Sequence, residues 1–270
     1  MKTCIEVLAS SRLQAILAQI GEGAMATTFL CNVLWRDGKL RRSYVKCFST
    51  DQSLGVANEV TGYILARSCK LPIPSHAGLI EIPGQILQEH PSLSPWAFVC
   101  SEAPGKTPNT ILSADGYSES QLKVMLDVLS RWDRLCETLA FDDWTANTDR
   151  HLGNILISSP RRFYLIDHSN LPVTLAWEAS QLEPDSTFVN RLMLILDMYQ
   201  SASDTQKASL LTACAEHAEA YKSCSGELRY WWNILLGPKT KRRRTIEAFM
   251  ATRAQNGKDR LGASLNILPV

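Results

Sequence analysis

The chain has no surplus of either charge: 28 Lys and Arg stand against 27 Asp and Glu, for a formal net charge of +1. That balance excludes a molecule-wide field for drawing in nucleic acid or an anionic membrane and leaves only local patches, so direct nucleic-acid binding is not expected. No apolar run approaches the ~18–20 residues needed to span a bilayer, so no membrane insertion is expected either. The N-terminal stretch, interrupted by Glu6 and Arg12, makes a poor secretory leader. Eight cysteines, Cys4, Cys31, Cys47, Cys69, Cys100, Cys136, Cys214 and Cys224, stand singly, without a Cys-x-x-Cys pair or a zinc-type Cys/His spacing. They are expected to be buried thiols in a reducing compartment, which points to a cytoplasmic protein. Internal repeats and low-complexity tracts are absent.

What is present is enough apolar residue, 45% of 270, to bury a full core. The first hundred residues read as mostly strand. Thr27-Thr28-Phe29-Leu30 and Tyr44-Val45-Lys46-Cys47-Phe48 are β-branched and aromatic runs, and the intervening Arg36-Asp37-Gly38-Lys39 is a hairpin signal, so an antiparallel sheet is predicted. A helix over 53–70 interrupts it, where Leu54, Ala57, Val60, Ile64 and Leu65 recur at three- and four-residue steps before Pro72 and Pro74. Extended segments are predicted over 77–82, 85–88 and 96–100. The Pro/Gly/Ser/Asn-rich stretch 101–117 reads as a connection between two lobes, 1–102 and 103–270. Beyond it, Leu122, Met125, Leu126, Leu129, Trp132, Leu135 and Leu139 form one continuous apolar helix face. Strands over 154–158 and 163–166 flank a turn at Ser159-Pro160-Arg161-Arg162. Further helices are predicted over 187–200, 206–223, 227–236 and 241–254, the last two separated by Gly237-Pro238.

The chemistry concentrates in Asn147-Thr148-Asp149-Arg150-His151-Leu152-Gly153-Asn154 and in Ile166-Asp167-His168-Ser169. Asp149, an amide five positions later at a strand start, and Asp167 closing the paired strand would converge three oxygen-bearing side chains at one hairpin mouth. Mg²⁺ prefers oxygen ligands and is commonly held by one or two carboxylates plus substrate phosphates. In phosphoryl transfer a loop Asp takes the hydroxyl proton while an Asn and a later Asp hold metal, which casts Asp149 as base and Asn154 and Asp167 as metal ligands. A lone Asp is more often a cap or turn residue; the joint pattern carries the reading. Lys46, alone in an apolar run, is costly to bury without a negative partner. The bland alternative is an edge-strand Lys reaching for water. Gly21-Glu22-Gly23 could let backbone N–H groups approach phosphate, although two glycines suit any tight turn.

The 147–154 stretch is similar to the catalytic loop of the HipA-like kinases, particularly the smaller members without the long N-terminal extension of the bacterial toxins. Ile166-Asp167-His168 resembles that family's substitute for the protein-kinase Asp-Phe-Gly. Phosphoinositide kinases share Asp-Arg-His-x-x-Asn, and antibiotic phosphotransferases use a related element. The resemblance covers residues 21–169. It implies an α+β, two-lobed protein-kinase-like fold, with a mixed antiparallel-sheet N-lobe and a mainly helical C-lobe. It further implies transfer of the γ-phosphate of Mg²⁺-ATP to a Ser or Thr hydroxyl of a protein. On this resemblance Lys46 meets the ATP phosphates with Glu59 as its ion-pair partner, and Gly21 and Gly23 cover the phosphates. Phe98, Val99 and Glu102 form the adenine hinge, chiefly through backbone groups, and His151 assists Asp149. A small antitoxin-like regulatory partner and phosphorylation in cis at Thr27 or Thr28 are further implications.

The sequence departs from the protein-kinase pattern in two places: the three-glycine loop is absent, and His168 and Ser169 replace Phe and Gly after the metal-binding Asp. Two rival readings stand beside the first: a small-molecule or lipid phosphotransferase, and a nucleotide-binding pseudokinase acting as a regulatory module. Lys241-Arg242-Arg243-Arg244 is read as a solvated helix start, and Trp231-Trp232 as core packing. His76, His90 and His217 have no metal-ligand spacing.

Overall fold

The computed structural model describes residues 3–22, 26–112 and 118–265. Six strands of the first hundred residues form one sheet: β1 (Ile5–Leu8), β2 (Leu13–Glu22), β3 (Thr27–Leu34), β4 (Leu40–Cys47), β5 (Ala77–Glu81) and β6 (Trp96–Ser101), in the order β1-β5-β6-β4-β3-β2. The pairs are antiparallel except β1 with β5, which is parallel, so the sheet is mixed and mainly antiparallel, as expected. Asp37-Gly38 makes the β3–β4 turn as its chemistry requires. Gly38 takes φ +77°, and the Asp37 carboxylate accepts from Lys39 N and from Arg41.

α1 (Leu54–Ser68) follows the helical spacing and is buried from Gly55 to Ala66. Segment 85–88 is not extended; it lies in α2 (Gly84–Glu89), which starts after Pro83 and buries Ile86. A short apolar run carries no period that separates strand from helix. The connecting stretch contains α3 (Pro108–Leu112) and is pinned to the second half, because Lys106 exchanges both backbone hydrogen bonds with Ile157.

The apolar face read over 122–139 is carried by two helices, α4 (Glu119–Ser130) and α5 (Leu135–Trp144), with a break at 131–134. Ser118 and Gln121 cap α4 reciprocally. Met125, Leu126, Leu129, Trp132, Leu135 and Leu139 are all buried. β7 (Ile155–Ser159) and β8 (Arg162–Leu165) form the second hairpin. α6 (Arg191–Asp197), α7 (Asp204–Ala215), α8 (His217–Leu235), α9 (Lys241–Gln255) and α10 (Gly257–Ser264) complete the helical half. The break expected near 224–226 falls instead at Glu216. α8 runs through Ser225-Gly226 because His217, Tyr221, Cys224, Leu228, Trp231 and Trp232 are all buried along it. Among the described residues no helix is long and apolar enough to cross a membrane, and all eight cysteines are free.

α1 joins the halves. It packs on β5 and β6 on one side and on α8 on the other, where Trp232 Nε1 donates to Thr61 Oγ1 at 2.8 Å. One buried cluster therefore runs from Ile5 and Phe98 through Val60 and Ile64 to Trp144, Trp232 and Phe249. A second, with Phe29, Trp35, Val45, Ile80 and Val99, covers the opposite face of the sheet.

Gly62 permits a close approach to α1, since a Cβ there would meet His168 Cβ at 2.3 Å and Leu171 Cδ2 at 2.7 Å. Gly62→Ala gains ~0.5–1 kcal/mol of helix propensity, but the clash, at roughly 1–3 kcal/mol, outweighs it. The expected result is a lower urea midpoint for Gly62→Ala at unchanged m-value; an equal or higher midpoint would contradict this packing.

Candidate active site

A cleft of about 490 Å³ opens between the sheet and the β7–β8 hairpin. Its wall combines apolar side chains, among them Ile20, Phe98, Leu156 and Leu165, with Lys46, Glu59, Asn154 and Asp167. Alternation along β4 decides the orientation of Lys46: Val45 and Cys47 enter the second core cluster, so Tyr44 and Lys46 face the cleft. Lys46 Nζ lies 2.5 Å from Glu59 Oε1 and 3.1 Å from Asp167 Oδ1. Only 13% of the Lys46 side chain and 2% of Glu59 are accessible, against 38% of Asp167, which is the member open to the cleft.

Two carboxylates thus share one ammonium. Burial opposes the charge on Lys46, yet Asp167 and Glu59 outweigh it and hold the amine above its ordinary pKa. Burial lifts the Glu59 carboxyl to about 7 against the pull of Lys46. Asp167 moves the other way: burial is overcome by Lys46 and by the Ser169 hydroxyl, which hold its carboxyl well below the usual carboxylate range. Glu59 Oε2 also accepts from His168 N at 3.1 Å and so ties α1 to the segment bearing Asp167.

That segment is held locally. Asp167 has φ +60°, and its Oδ1 accepts from Ser169 Oγ at 2.7 Å and from Ser169 N at 3.3 Å. Ala146 and Val173 also take left-handed φ, at 50° and 65°. Such conformations cost energy for residues other than glycine and tend to cluster at functional sites. Asn154 ends a 3₁₀ turn (Leu152–Asn154) just before β7; its Nδ2 donates to Asp149 O at 3.1 Å, and its own carbonyl accepts from Ile166 N. Asn154 and Asp167 therefore meet at the hairpin mouth. Asp149 is joined to them through Asn154, while its carboxylate is held from two directions: Oδ1 by Arg191 at 2.7 Å and Oδ2 by Asn170 Nδ2 at 2.8 Å.

His151 serves as a cap: its Nδ1 accepts from Gly153 N at 2.9 Å, and burial draws its pKa below the ordinary histidine value. Arg150 lies beneath. Its guanidinium is wholly buried, bonds both oxygens of buried Asp142, donates to Ile166 O at 2.9 Å and meets His168 Nδ1 at 3.2 Å. Asn147 Nδ2 donates to the same Asp142. Burial, with Arg150 beside it, holds His168 well below the usual histidine range.

The side chains of the three residues that the resemblance assigns to a hinge, there chiefly through backbone groups, point in different directions. Phe98 lines the cleft, but Val99 points to the opposite face of the sheet and packs in the second cluster. The Glu102 carboxylate is turned to Arg42 at 2.8 Å and does not line the cleft. Gly21 lies within β2, and Gly23 lies outside the described residues. Thr27 is half-buried at the start of β3, and Thr28 lines the cleft in register with Lys46. Asp142, Ser169, Asn170 and Arg191 were not picked out from the sequence. A signal existed for Asp142, a charge inside an apolar helix that needed a partner, as Lys46 did. None existed for Arg191.

The mixed sheet with its buried helix, the β7–β8 hairpin and the helical body define an α+β, two-lobed, kinase-like fold. A solved structure with this architecture is the Helicobacter pylori proinflammatory kinase CtkA, which matches at a TM-score of 0.59 and 10% identity, covering 97% of this chain and 98% of that one. At that identity the likeness is one of fold. No family model matches the chain, and no curated protein matches it by sequence.

Removing one member of a buried ion pair strands the other, at roughly 3–5 kcal/mol. Arg150→Met is expected to lose stability on that scale in urea denaturation, and adding Asp142→Asn is expected to restore part of the loss. A single-variant loss below about 1 kcal/mol would contradict a stranded charge.

Proposed function

We infer that the chain is a HipA-like kinase, a cytoplasmic phosphotransferase that moves the γ-phosphate of Mg²⁺-ATP to a Ser or Thr hydroxyl of a protein. The observation that carries this reading is the contact of Lys46 with both Glu59 and Asp167, at one cleft, next to the Asp149–Asn154 loop. A protein that only bound a partner at this cleft would have no use for Asp149 beside it.

The donors present fit Mg²⁺. Among the described residues, Asn154 Oδ1 and Asp167 Oδ2 make no hydrogen bond, and both residues line the cleft. No cluster of three His, Cys, Asp or Glu side chains that could hold an ion occurs among those residues. One carboxylate and one amide suit Mg²⁺, which takes its remaining ligands from phosphate and water. When bound there it neutralises phosphate charge.

The chain's own residues do the rest. Lys46, fixed by Glu59, presents its ammonium to phosphate oxygens. Apolar residues such as Ile20, Phe98 and Leu156 give a base a dry surface on which to lie. Asp149 takes the proton of the acceptor hydroxyl as that oxygen bonds to the γ-phosphorus; the bond from phosphorus to its bridging oxygen breaks, and ADP leaves. Asn154 Nδ2, donating to the backbone carbonyl of Asp149, holds the loop carrying that residue against the metal side.

Purified protein incubated with Mg²⁺ and γ-labelled ATP, with and without cell lysate, tests this. Label is expected on Ser or Thr of a protein, falling ~10²-fold or more in Asp149→Asn, the scale of a lost general base. Label confined to small molecules would refute the protein acceptor. No transfer by folded wild-type protein, with Asp149→Asn indistinguishable from it, would refute the enzyme.

A further inference from the structure

The base assigned above is already engaged at both oxygens, although 28% of its side chain is accessible. Both oxygens of Asp149 accept hydrogen bonds, Oδ1 from Arg191 and Oδ2 from Asn170. A hydroxyl that gives up its proton must first come within hydrogen-bond distance of one of those oxygens. Arginine keeps its proton at any working pH, so Arg191 cannot relay one. It shares Oδ1 with any hydroxyl that approaches, and its release leaves the lone pairs of that oxygen to the hydroxyl alone.

The surroundings single out Arg191 as the group that moves. Its side chain is 51% accessible, and an ion pair at that exposure is weak and easily exchanged. Its backbone is fixed by comparison. Asn190 caps α6, accepting from Met193 N at 3.0 Å while its own Nδ2 donates to Leu139 O at 2.9 Å, and Leu192 on the other side is wholly buried. The guanidinium can therefore leave Asp149 only by swinging on a tethered stem, and it stays beside the position of the acceptor. A guanidinium released from one carboxylate finds its best partner in another anion, which its planar fork grips in a bidentate manner.

We propose that Arg191 is a specificity-determining residue: it holds Asp149 until a carboxylate or phosphate flanking the acceptor hydroxyl takes it over, so the preferred acceptors are Ser or Thr in acidic sequence. The exchange moves no atom between molecules and breaks no covalent bond. The negative charge that paired Arg191 is replaced by the substrate's own, and Asp149 Oδ1 is freed to accept the hydroxyl. This rests on the phosphotransferase reading and adds the acceptor's charge to it.

The test uses the full chain with Mg²⁺-ATP and Ser-centred peptide arrays in three matched arms, with Glu, phosphoserine or Gln beside the acceptor. Wild type is expected to favour the anionic arms by about tenfold in kcat/KM, the worth of one charge-assisted contact. The Glu and phosphoserine arms separate the two sources of charge. In Arg191→Met the preference is expected to vanish through a raised KM on anionic peptides, while hydrolysis of ATP by water rises, because water brings no anion to displace Arg191. Arg191→Lys is expected to retain the preference. A purely structural role would instead depress all arms and Mg²⁺-ATP binding together.

Equal use of the three arms by wild type, or a preference that survives Arg191→Met, would overturn the proposal while leaving the phosphotransferase reading intact. So would labelling of lysate components with no labelling of any peptide. Wild type that labels nothing at all removes the underlying reading, and this proposal with it.

Discussion

An ammonium withdrawn from water obliges the fold to bring negative charge to it. Lys46 is such a group, and the geometry of the cleft follows from its needs. Glu59 reaches it from α1, and a helix that delivers a carboxylate to the inside of a molecule is itself buried from Gly55 to Ala66. Trp232 anchors that helix from the helical half. Gly62, one turn on from Glu59, leaves space for His168, and His168 N closes on Glu59 Oε2. Asp167 is thereby set 3.1 Å from the same ammonium. Sheet, helix and hairpin meet at one nitrogen.

A second buried ion pair does the corresponding work below the loop. Arg150 and Asp142 contribute little net stability once their desolvation is counted. What they do is hold three pieces of chain in one arrangement: the end of α5, the 147–154 loop and residues 166–168. Left-handed backbone at Ala146, Asp167 and Val173 persists within that frame. The result is a site in which Asn154 and Asp167 sit on a supported frame, while the carboxylate of Asp149 is paired with an arginine half exposed on α6.

Much of this was legible where local spacing sets geometry. Asp37-Gly38 announced its turn, the three- and four-residue steps announced α1, and Asp149, Asn154 and Asp167 were separated by distances that a hairpin brings together. Lys46 was legible because a charge in an apolar run demands a partner, and Glu59 as that partner came from the resemblance alone. Less was legible where tertiary packing decides. Gln85 to Gln88 carry no period, so Pro83 and the burial of Ile86 settled them as helix. Ser225-Gly226 reads as a break, yet packing of Trp231 and Trp232 carries α8 through it. Arg191 and Asn170 reach Asp149 from 42 and 21 residues away, and no local pattern links them.

The claim on which the account rests is that Lys46, Glu59, Asn154 and Asp167 form one site for nucleotide phosphate and metal. Titration calorimetry of ATP, with and without Mg²⁺, against wild type and Asp167→Asn tests it directly. The expected result is binding by wild type that strengthens with Mg²⁺, and in Asp167→Asn loss of that dependence with the fold intact by circular dichroism. Equal affinity with and without the metal in wild type, or an undiminished Mg²⁺ dependence in Asp167→Asn, would contradict it.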